Sequence, residues 1–193
     1  MTAEGIRLGI VQPAERDTGL CVAVTDASAE RSFISYIGAE GEVSAEELAS
    51  VPVEAGDFVY VSGYSLSQVG KAQALVDWVL GLAEGISVVF DPGPLVESPD
   101  APMMQTLLPR IDVWTSNSVE ALRFAGAADI ATALDRLAGH LPKDVLMVVR
   151  DVGNPFYLEI GFSKSQIAFR RSRNLAVVWI PGQYLTGKLA PLV

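Results

Sequence analysis

The chain has 193 residues, half of them hydrophobic, and a mean hydropathy of +0.32, a composition that excludes a disordered protein and suits one sizeable core. Its formal net charge of −9 argues against a nucleic-acid partner or an anionic membrane surface. The single cysteine excludes an intramolecular disulfide framework and any multi-cysteine zinc site.

The charge is unevenly distributed. Residues 1–150 hold 9 Lys/Arg against 21 Asp/Glu, whereas residues 151–193 hold 5 against 2. No apolar run reaches membrane-spanning length, because Asp77 and Glu84 interrupt the most apolar window. The opening Met-Thr-Ala-Glu-Gly-Ile-Arg lacks the basic-then-apolar order of a signal peptide, so the sequence reads as cytoplasmic.

Along the chain, Thr18 to Val24 and Arg31 to Ile37 are β-rich runs around the polar Asp26-Ala-Ser-Ala-Glu30, which predicts a hairpin. Cys21 lies in Gly-Leu-Cys-Val-Ala-Val and is expected to be a buried strand thiol. Ser44-Ala-Glu-Glu47 is a capping box that opens a short helix. Phe58 to Val61 is a strand ending at Ser62-Gly63, and the apolar spacing from Leu66 to Leu82 is helical. Val88 to Phe90 is the next strand, and Met103 to Leu108 a helix or helical turn. Asp112 to Trp114 is a strand, and Val119 to Phe124 a helix ended by Gly126. Ile130 to Ala138 is another helix and Val145 to Val149 a continuous apolar strand. Beyond residue 151, Phe156 to Ile160 and Val177 to Ile180 are strand-like, with no helical pattern after either.

Short apolar strands alternating with helices between residues 57 and 150 predict a parallel sheet covered on both faces. Sites in such sheets lie beyond the carboxyl ends of the strands. Those ends are Ser62-Gly63, Asp91-Pro-Gly-Pro94, Thr115-Ser-Asn117 and Arg150-Asp151. An acid at one strand end, beside a helix opening with Asn117-x-x-Glu120, is a place to hold a phosphate and its metal ion. The same tetrapeptide is also a capping box, and the two roles are compatible. The Asp91 turn likewise reads as an ordinary strand-to-helix turn stiffened by two prolines.

The ordered series resembles the ribokinase-like (PfkB) family of carbohydrate kinases over about residues 4–150. The matching pieces are Thr18-Gly19, Glu30-Arg31-Ser-Phe-Ile34, Gly38-Ala39-Glu40, Asp57-Phe-Val-Tyr-Val-Ser-Gly63, Val88-Val-Phe-Asp-Pro-Gly-Pro94, Asp112-x-x-x-x-Asn117-x-x-Glu120, Gly126 and Val145-Leu-Met-Val-Val149. The resemblance implies a three-layer αβα core, about residues 44–150, with a small β lid hairpin, about residues 18–40, over the sugar pocket. It implies ATP-dependent phosphoryl transfer to a hydroxyl of a sugar or nucleoside with Mg²⁺, a reaction that rests on positioning and charge neutralisation. Asn117 and Glu120 match the motif that organises the Mg²⁺ and phosphate region, Asp91 the turn on the phosphate side, and Ser62, Gly63 and Tyr64 the sugar-facing strand end. A homodimer through the lid is a further expectation.

Two departures accompany the match. The family's sugar-clamping segment would precede Met1, and its Gly-Ala-Gly-Asp turn occurs nowhere in these 193 residues. That turn supplies backbone N–H groups to the developing charge and an Asp that accepts the substrate proton. The sequence therefore reads as a ribokinase-like domain truncated at both ends, incomplete and weakly active or inactive, with no catalytic residue to assign. A non-catalytic nucleotide- or sugar-binding protein on the same scaffold is the alternative. The loss of pattern and the charge reversal both begin near Asp151, so residues 151–193 form an atypical tail. A reading frame shifted after codon 150 and a divergent native tail both explain it. Within that tail, Gly182-Gln-Tyr-Leu-Thr-Gly-Lys188 has Leu189 where a P-loop needs Ser or Thr, and Lys164, Arg170, Arg171 and Arg173 form a solvated basic cluster. His140, in Ala-Gly-His-Leu-Pro, is a surface or half-buried loop residue.

Overall fold

A computed structural model describes residues 15–27, 31–96, 98–150 and 177–179. Of the 151–193 tail it therefore describes only Val177–Trp179; the expected strand at Phe156 to Ile160, the P-loop-like segment and the basic cluster lie outside the described residues.

The predicted hairpin is present. Strands β1 (Leu20–Thr25) and β2 (Arg31–Tyr36) pair antiparallel, from Leu20 opposite Tyr36 to Thr25 opposite Arg31. This register puts Leu20, Val22, Val24, Ile34 and Tyr36 on one face, and all five are exposed. Cys21 corrects the expectation of a buried thiol. It lies on the other face, exposed, where the Ser35 hydroxyl donates to its Sγ at 3.3 Å. A two-stranded ribbon with neither face of β1 covered buries none of that strand's residues.

Helix α1 (Ala45–Ala49) follows. Ser44 Oγ accepts from the Glu47 N–H at 3.1 Å, and Glu47 Oε2 accepts from the Ser44 N–H at 2.7 Å, which completes the expected capping box.

The main sheet has the order β3 (Phe58–Ser62), β4 (Ser87–Asp91), β5 (Val113–Asn117), β6 (Leu146–Arg150) and β7 (Val177–Trp179). The first four strands are parallel, and β7 runs antiparallel to β6. Between them lie α2 (Gly63–Leu66), α3 (Val69–Leu80), α4 (Pro102–Leu107), α5 (Ser118–Ala125) and α6 (Ile130–Ala138). The single helix expected from Leu66 to Leu82 is thus two. The break falls at Ser67-Gln68, where Ser67 caps α2 by donating its hydroxyl to the Tyr64 carbonyl at 2.8 Å. Strand β5 runs on to Asn117 instead of stopping at Trp114. Thr115, Ser116 and Asn117 stand opposite Val148, Val149 and Arg150 of β6, and the buried Ser116 hydroxyl accepts from Trp114 Nε1 at 3.1 Å.

Alternate strand residues enter one core. Val59, Val61, Val88, Phe90, Trp114, Met147 and Val149 form a single buried cluster with Leu66 of α2, Val76 and Val79 of α3, Leu107 of α4, Phe124 of α5 and Leu134 and Leu137 of α6. Trp114 is its centre, with ring centroids 5.5 Å from Phe90 and 5.0 Å from Phe124. On the other face Phe58 and Tyr60 are exposed, and Val89, Val113, Leu146 and Val148 are half-buried among the described residues. No described helix is long and apolar enough to cross a membrane.

At the amino ends of the strands, Asp112 ties three of them together. Its N–H donates to the Val88 carbonyl at 3.0 Å, its carbonyl accepts from the Leu146 N–H at 2.9 Å, and its carboxylate accepts from the Val88 N–H at 2.7 Å. Arg110 donates to the same carboxylate at 2.9 Å and to the Ile86 carbonyl at 2.8 Å. Asp112→Ala strands the Val88 N–H and the Arg110 charge, so it should lower stability by about 1–2 kcal/mol, read as a fall in the urea midpoint at unchanged slope.

Candidate functional site

The parallel register brings the strand carboxyl ends to one edge. Ser62 is the partner of Asp91, and Asn117 the partner of Arg150. Asp91, half-buried, is the most connected of these. Its Oδ1 accepts from the Gly93 N–H at 3.0 Å, which closes the Asp91-Pro-Gly turn, with Gly93 at φ +56°. Its Oδ2 accepts from the Tyr60 hydroxyl at 3.3 Å and lies 3.7 Å from an Arg150 guanidinium nitrogen. Burial raises the Tyr60 pKa above its ordinary 10.0, and the Asp91 charge and hydrogen bond raise it further, while Arg150 opposes them.

Asn117 ends β5 and caps α5. Its Oδ1 accepts from the Glu120 N–H at 2.8 Å, and Glu120 Oε2 accepts from the Asn117 N–H at 2.8 Å. The capping reading of this tetrapeptide is therefore correct. The box uses one oxygen of each side chain and leaves Glu120 Oε1 and the Asn117 amide nitrogen outside it. Helix α5 ends as expected at Gly126, left-handed at φ +60°.

Ser62, Gly63 and Tyr64 sit against the Asp91 turn. Ser62 caps α2 by accepting from the Tyr64 N–H at 3.3 Å. A Cβ on Gly63 would lie 1.8 Å from the Pro92 carbonyl oxygen, so only glycine allows this approach. The Tyr64 ring covers Gly93, within 3.3 Å of where a Cβ would stand. Arg123 of α5 donates to the Pro94 carbonyl at 3.2 Å and joins the turn to that helix.

The structure thus brings Asp91 together with Ser62, Gly63 and Tyr64, and Asn117 together with Glu120. Arg150 links the two groups, since it is the register partner of Asn117 and the ion-pair partner of Asp91. At the level of sequence Arg150 stands at a strand end with no role attached, and Tyr60 is a strand residue like its neighbours. The signal for both was strand alternation, since each occupies the face opposite the core residues of its strand. His140 is half-buried between α6 and β6, as expected.

No group of three or more His, Cys, Asp or Glu side chains suited to a metal occurs among the described residues. Glu120 Oε1, which the capping box leaves outside, is one carboxylate oxygen offered at this edge. Mg²⁺ usually takes one or two carboxylates, together with waters and substrate phosphates.

A family model described as pfkB family carbohydrate kinase matches residues 1–150. The uncharacterized sugar kinase YegV of Escherichia coli is 32% identical over 136 residues, which cover 68% of this chain and 41% of that protein. A probable sugar kinase protein from Rhizobium etli superposes with a TM-score of 0.68 at 18% identity, over 99% of this chain and 52% of that one. Fructokinase from Vibrio cholerae, in a fructose-, ADP- and calcium-bound form, gives a TM-score of 0.58 at 18% identity, over 89% and 52%. These likenesses show a ribokinase-like fold, and the chain spans about half the length of the relatives it matches.

Asp91→Asn removes the charge nearest Tyr60 without altering the burial that contributes most to its shift. The titration midpoint of Tyr60, followed by NMR of its ring carbon, should lie above 10.0 in the parent and fall part of the way back in the variant.

Proposed function

Because this chain belongs to the PfkB family of carbohydrate kinases, we propose that its core, about residues 44–150, carries the phosphate side of an ATP-dependent kinase acting on a hydroxyl of a sugar or nucleoside. The observation that carries this reading is the convergence of Asp91, Asn117 and Glu120 on one sheet edge, with the Arg150 side chain of β6 reaching Asp91. Phosphoryl transfer asks a protein mainly to position and to neutralise charge. When bound, Mg²⁺ supplies charge neutralisation at the phosphate oxygens. Glu120, through Oε1, and Asn117, through the second lone pair of Oδ1, are the groups that would hold it, while Asp91 keeps the turn closed. Ser62, Gly63 and Tyr64 face the acceptor, and the hairpin of residues 18–40 forms the lid.

The proposed activity of this chain on its own is weak or nil. No Gly-Ala-Gly-Asp turn occurs in it, and loss of a general base alone costs roughly 10²–10⁴-fold. Saturable binding of nucleotide or sugar without turnover would favour the second reading, a non-catalytic binding or regulatory protein. The 151–193 tail is assigned no part in either.

Glu120→Gln separates capping from ion binding, because Gln completes a capping box as well as Glu does. The variant should keep its helix content and melting temperature but lose roughly 10–100-fold in Mg²⁺-dependent ATP affinity by calorimetry. Unchanged affinity would sink the Mg²⁺ assignment, and brisk Mg²⁺-dependent turnover of ATP with a common sugar would sink the inactivity.

The exposed face of Leu20, Val22, Val24, Ile34 and Tyr36 is the proposed contact of a homodimer. Sedimentation should then show a dimer that Val22→Asp combined with Ile34→Asp converts to monomer at unchanged fold. A monomeric parent would reject the dimer.

A further inference from the structure

We infer that Glu40 is a latch that sets the orientation of the β1–β2 hairpin on the core, acting as a positioning residue and not as a group in any chemical step. Nothing in this depends on the kinase reading, since it stands on the geometry of the hairpin's base.

The two chain segments that enter and leave the hairpin touch at two glycines. Gly19 precedes β1 and Gly38 follows β2. A Cβ on Gly38 would lie 2.1 Å from the Asp17 carbonyl oxygen and 2.2 Å from the Gly19 nitrogen. A Cβ on Gly19 would meet the Glu40 Oε1 at 2.0 Å and the Tyr36 carbonyl oxygen at 2.7 Å. The Ala39 N–H donates across this crossing to the Asp17 carbonyl at 2.9 Å. Contact this close leaves no room for a side chain at the crossing, so a polar group that reaches both segments can tie them further.

One carboxylate does so. Glu40 Oε2 accepts from the Gly19 N–H at 2.8 Å, and Oε1 accepts from the Gly38 N–H at 2.9 Å. A single side chain therefore bridges the incoming and outgoing segments with two charge-assisted bonds. These two bonds are also the leading reasons that its pKa is lowered from the ordinary carboxylate value. Glu40 is in turn fixed to the core. Lys71, in the first turn of α3, donates from Nζ to the Glu40 carbonyl at 2.9 Å, and α3 buries Ala72, Val76 and Val79.

Packing does not compete with this latch. The residues of β1 are exposed on both faces, so no helix layer fixes the ribbon's tilt. Another polar tie is Arg16, which pairs with Glu42 and donates to the Ile37 carbonyl at 3.0 Å. It is an exposed ion pair of the kind that contributes little. The latch also lies close in sequence to the site edge. Lys71 stands eight residues beyond Gly63, whose backbone rests on the Pro92 carbonyl.

The chain's one cysteine makes this measurable. Cys21 is exposed on β1, and Lys143→Cys places a second label on the exposed loop before β6. Nitroxides at both, in labelled chains diluted with unlabelled protein so that only distances within one chain are read, should give a narrow distance distribution by pulsed dipolar spectroscopy, with no ATP or sugar present. Glu40→Gln can accept from only one of the two glycine N–H groups, so the distribution should broaden, and exchange of the Gly19 and Gly38 amides should rise about tenfold or more. Amides of β3 to β6 should be unaffected. Lys71→Met, which leaves the carboxylate and its two glycine bonds in place but removes the bond from α3 to the Glu40 carbonyl, should broaden the distribution less. An unchanged width in Glu40→Gln would falsify the latch. So would loss of cooperative folding in that variant, because a latch on an exposed ribbon leaves the core intact.

Discussion

Asp112 accepts the Val88 N–H on its carboxylate while its own backbone bonds to Val88 on one side and Leu146 on the other. Asp57 continues the row by accepting from the Ser87 N–H at 2.9 Å. Four strands are thus pinned at their amino ends, and in a parallel sheet that pinning sets the register of everything beyond it. Five residues further along β5 the consequence is chemical. Ser62 and Asp91 become register partners, as do Asn117 and Arg150, so that four polar groups from four strands share one edge. A slip of one residue would send Asp91 into the core and Phe90 out of it.

Energetics distinguish what holds the edge from what the edge can offer a ligand. The turn at Asp91 is held by backbone geometry: the Gly93 N–H bond, the positive φ of Gly93 and the approach of Gly63 to Pro92, which tolerates no side chain. The capping box at Asn117 contributes about 1 kcal/mol to α5. By contrast the Arg150–Asp91 pair is long at 3.7 Å, and the Arg150 side chain is 47% exposed. Such pairs contribute roughly 0–1 kcal/mol. A charge that the fold does not need, beside a carboxylate that the fold does need, is a group free to change partners.

The sequence carried most of the architecture because three independent signals agreed in it. Apolar runs marked the strands, capping residues at Ser44, Asn117 and Gly126 marked helix ends, and the order of the pieces matched one family. The errors arose where the outcome depended on what an element packs against. The apolar neighbours of Cys21 point to a core, yet they belong to a ribbon with no layer against β1. The polar Thr115, Ser116 and Asn117 point to a strand end at Trp114, whereas pairing with β6 carries β5 through them. Tyr60 and Arg150 were not recognised as part of the site, since nothing local to either says that Asp91 lies across the sheet. Glu40 is the same case at longer range, its partners being 21 and 2 residues away and brought together only by the hairpin.

The continuous apolar runs of β4 and β6 suggested a sheet covered on both faces, and the described residues show what that pattern means one layer at a time. Val88, Phe90, Met147 and Val149 are buried against helices, while Val89, Leu146 and Val148 on the opposite face are half-buried, and Tyr60 beside them is exposed. Fully burying a Val or Leu side chain is worth about 1.5–3 kcal/mol relative to leaving it exposed. Up to about a third of that value remains unrealised at each of these positions, which together is a noticeable fraction of the roughly 5–15 kcal/mol that keeps a domain folded. The same face carries Tyr60 at its border with Asp91, and burial is already the largest cause of that tyrosine's raised pKa. Whatever packs there would therefore act twice, adding apolar burial to the sheet and drying the contact between Tyr60 and Asp91 at the edge where the phosphate side of the site is proposed.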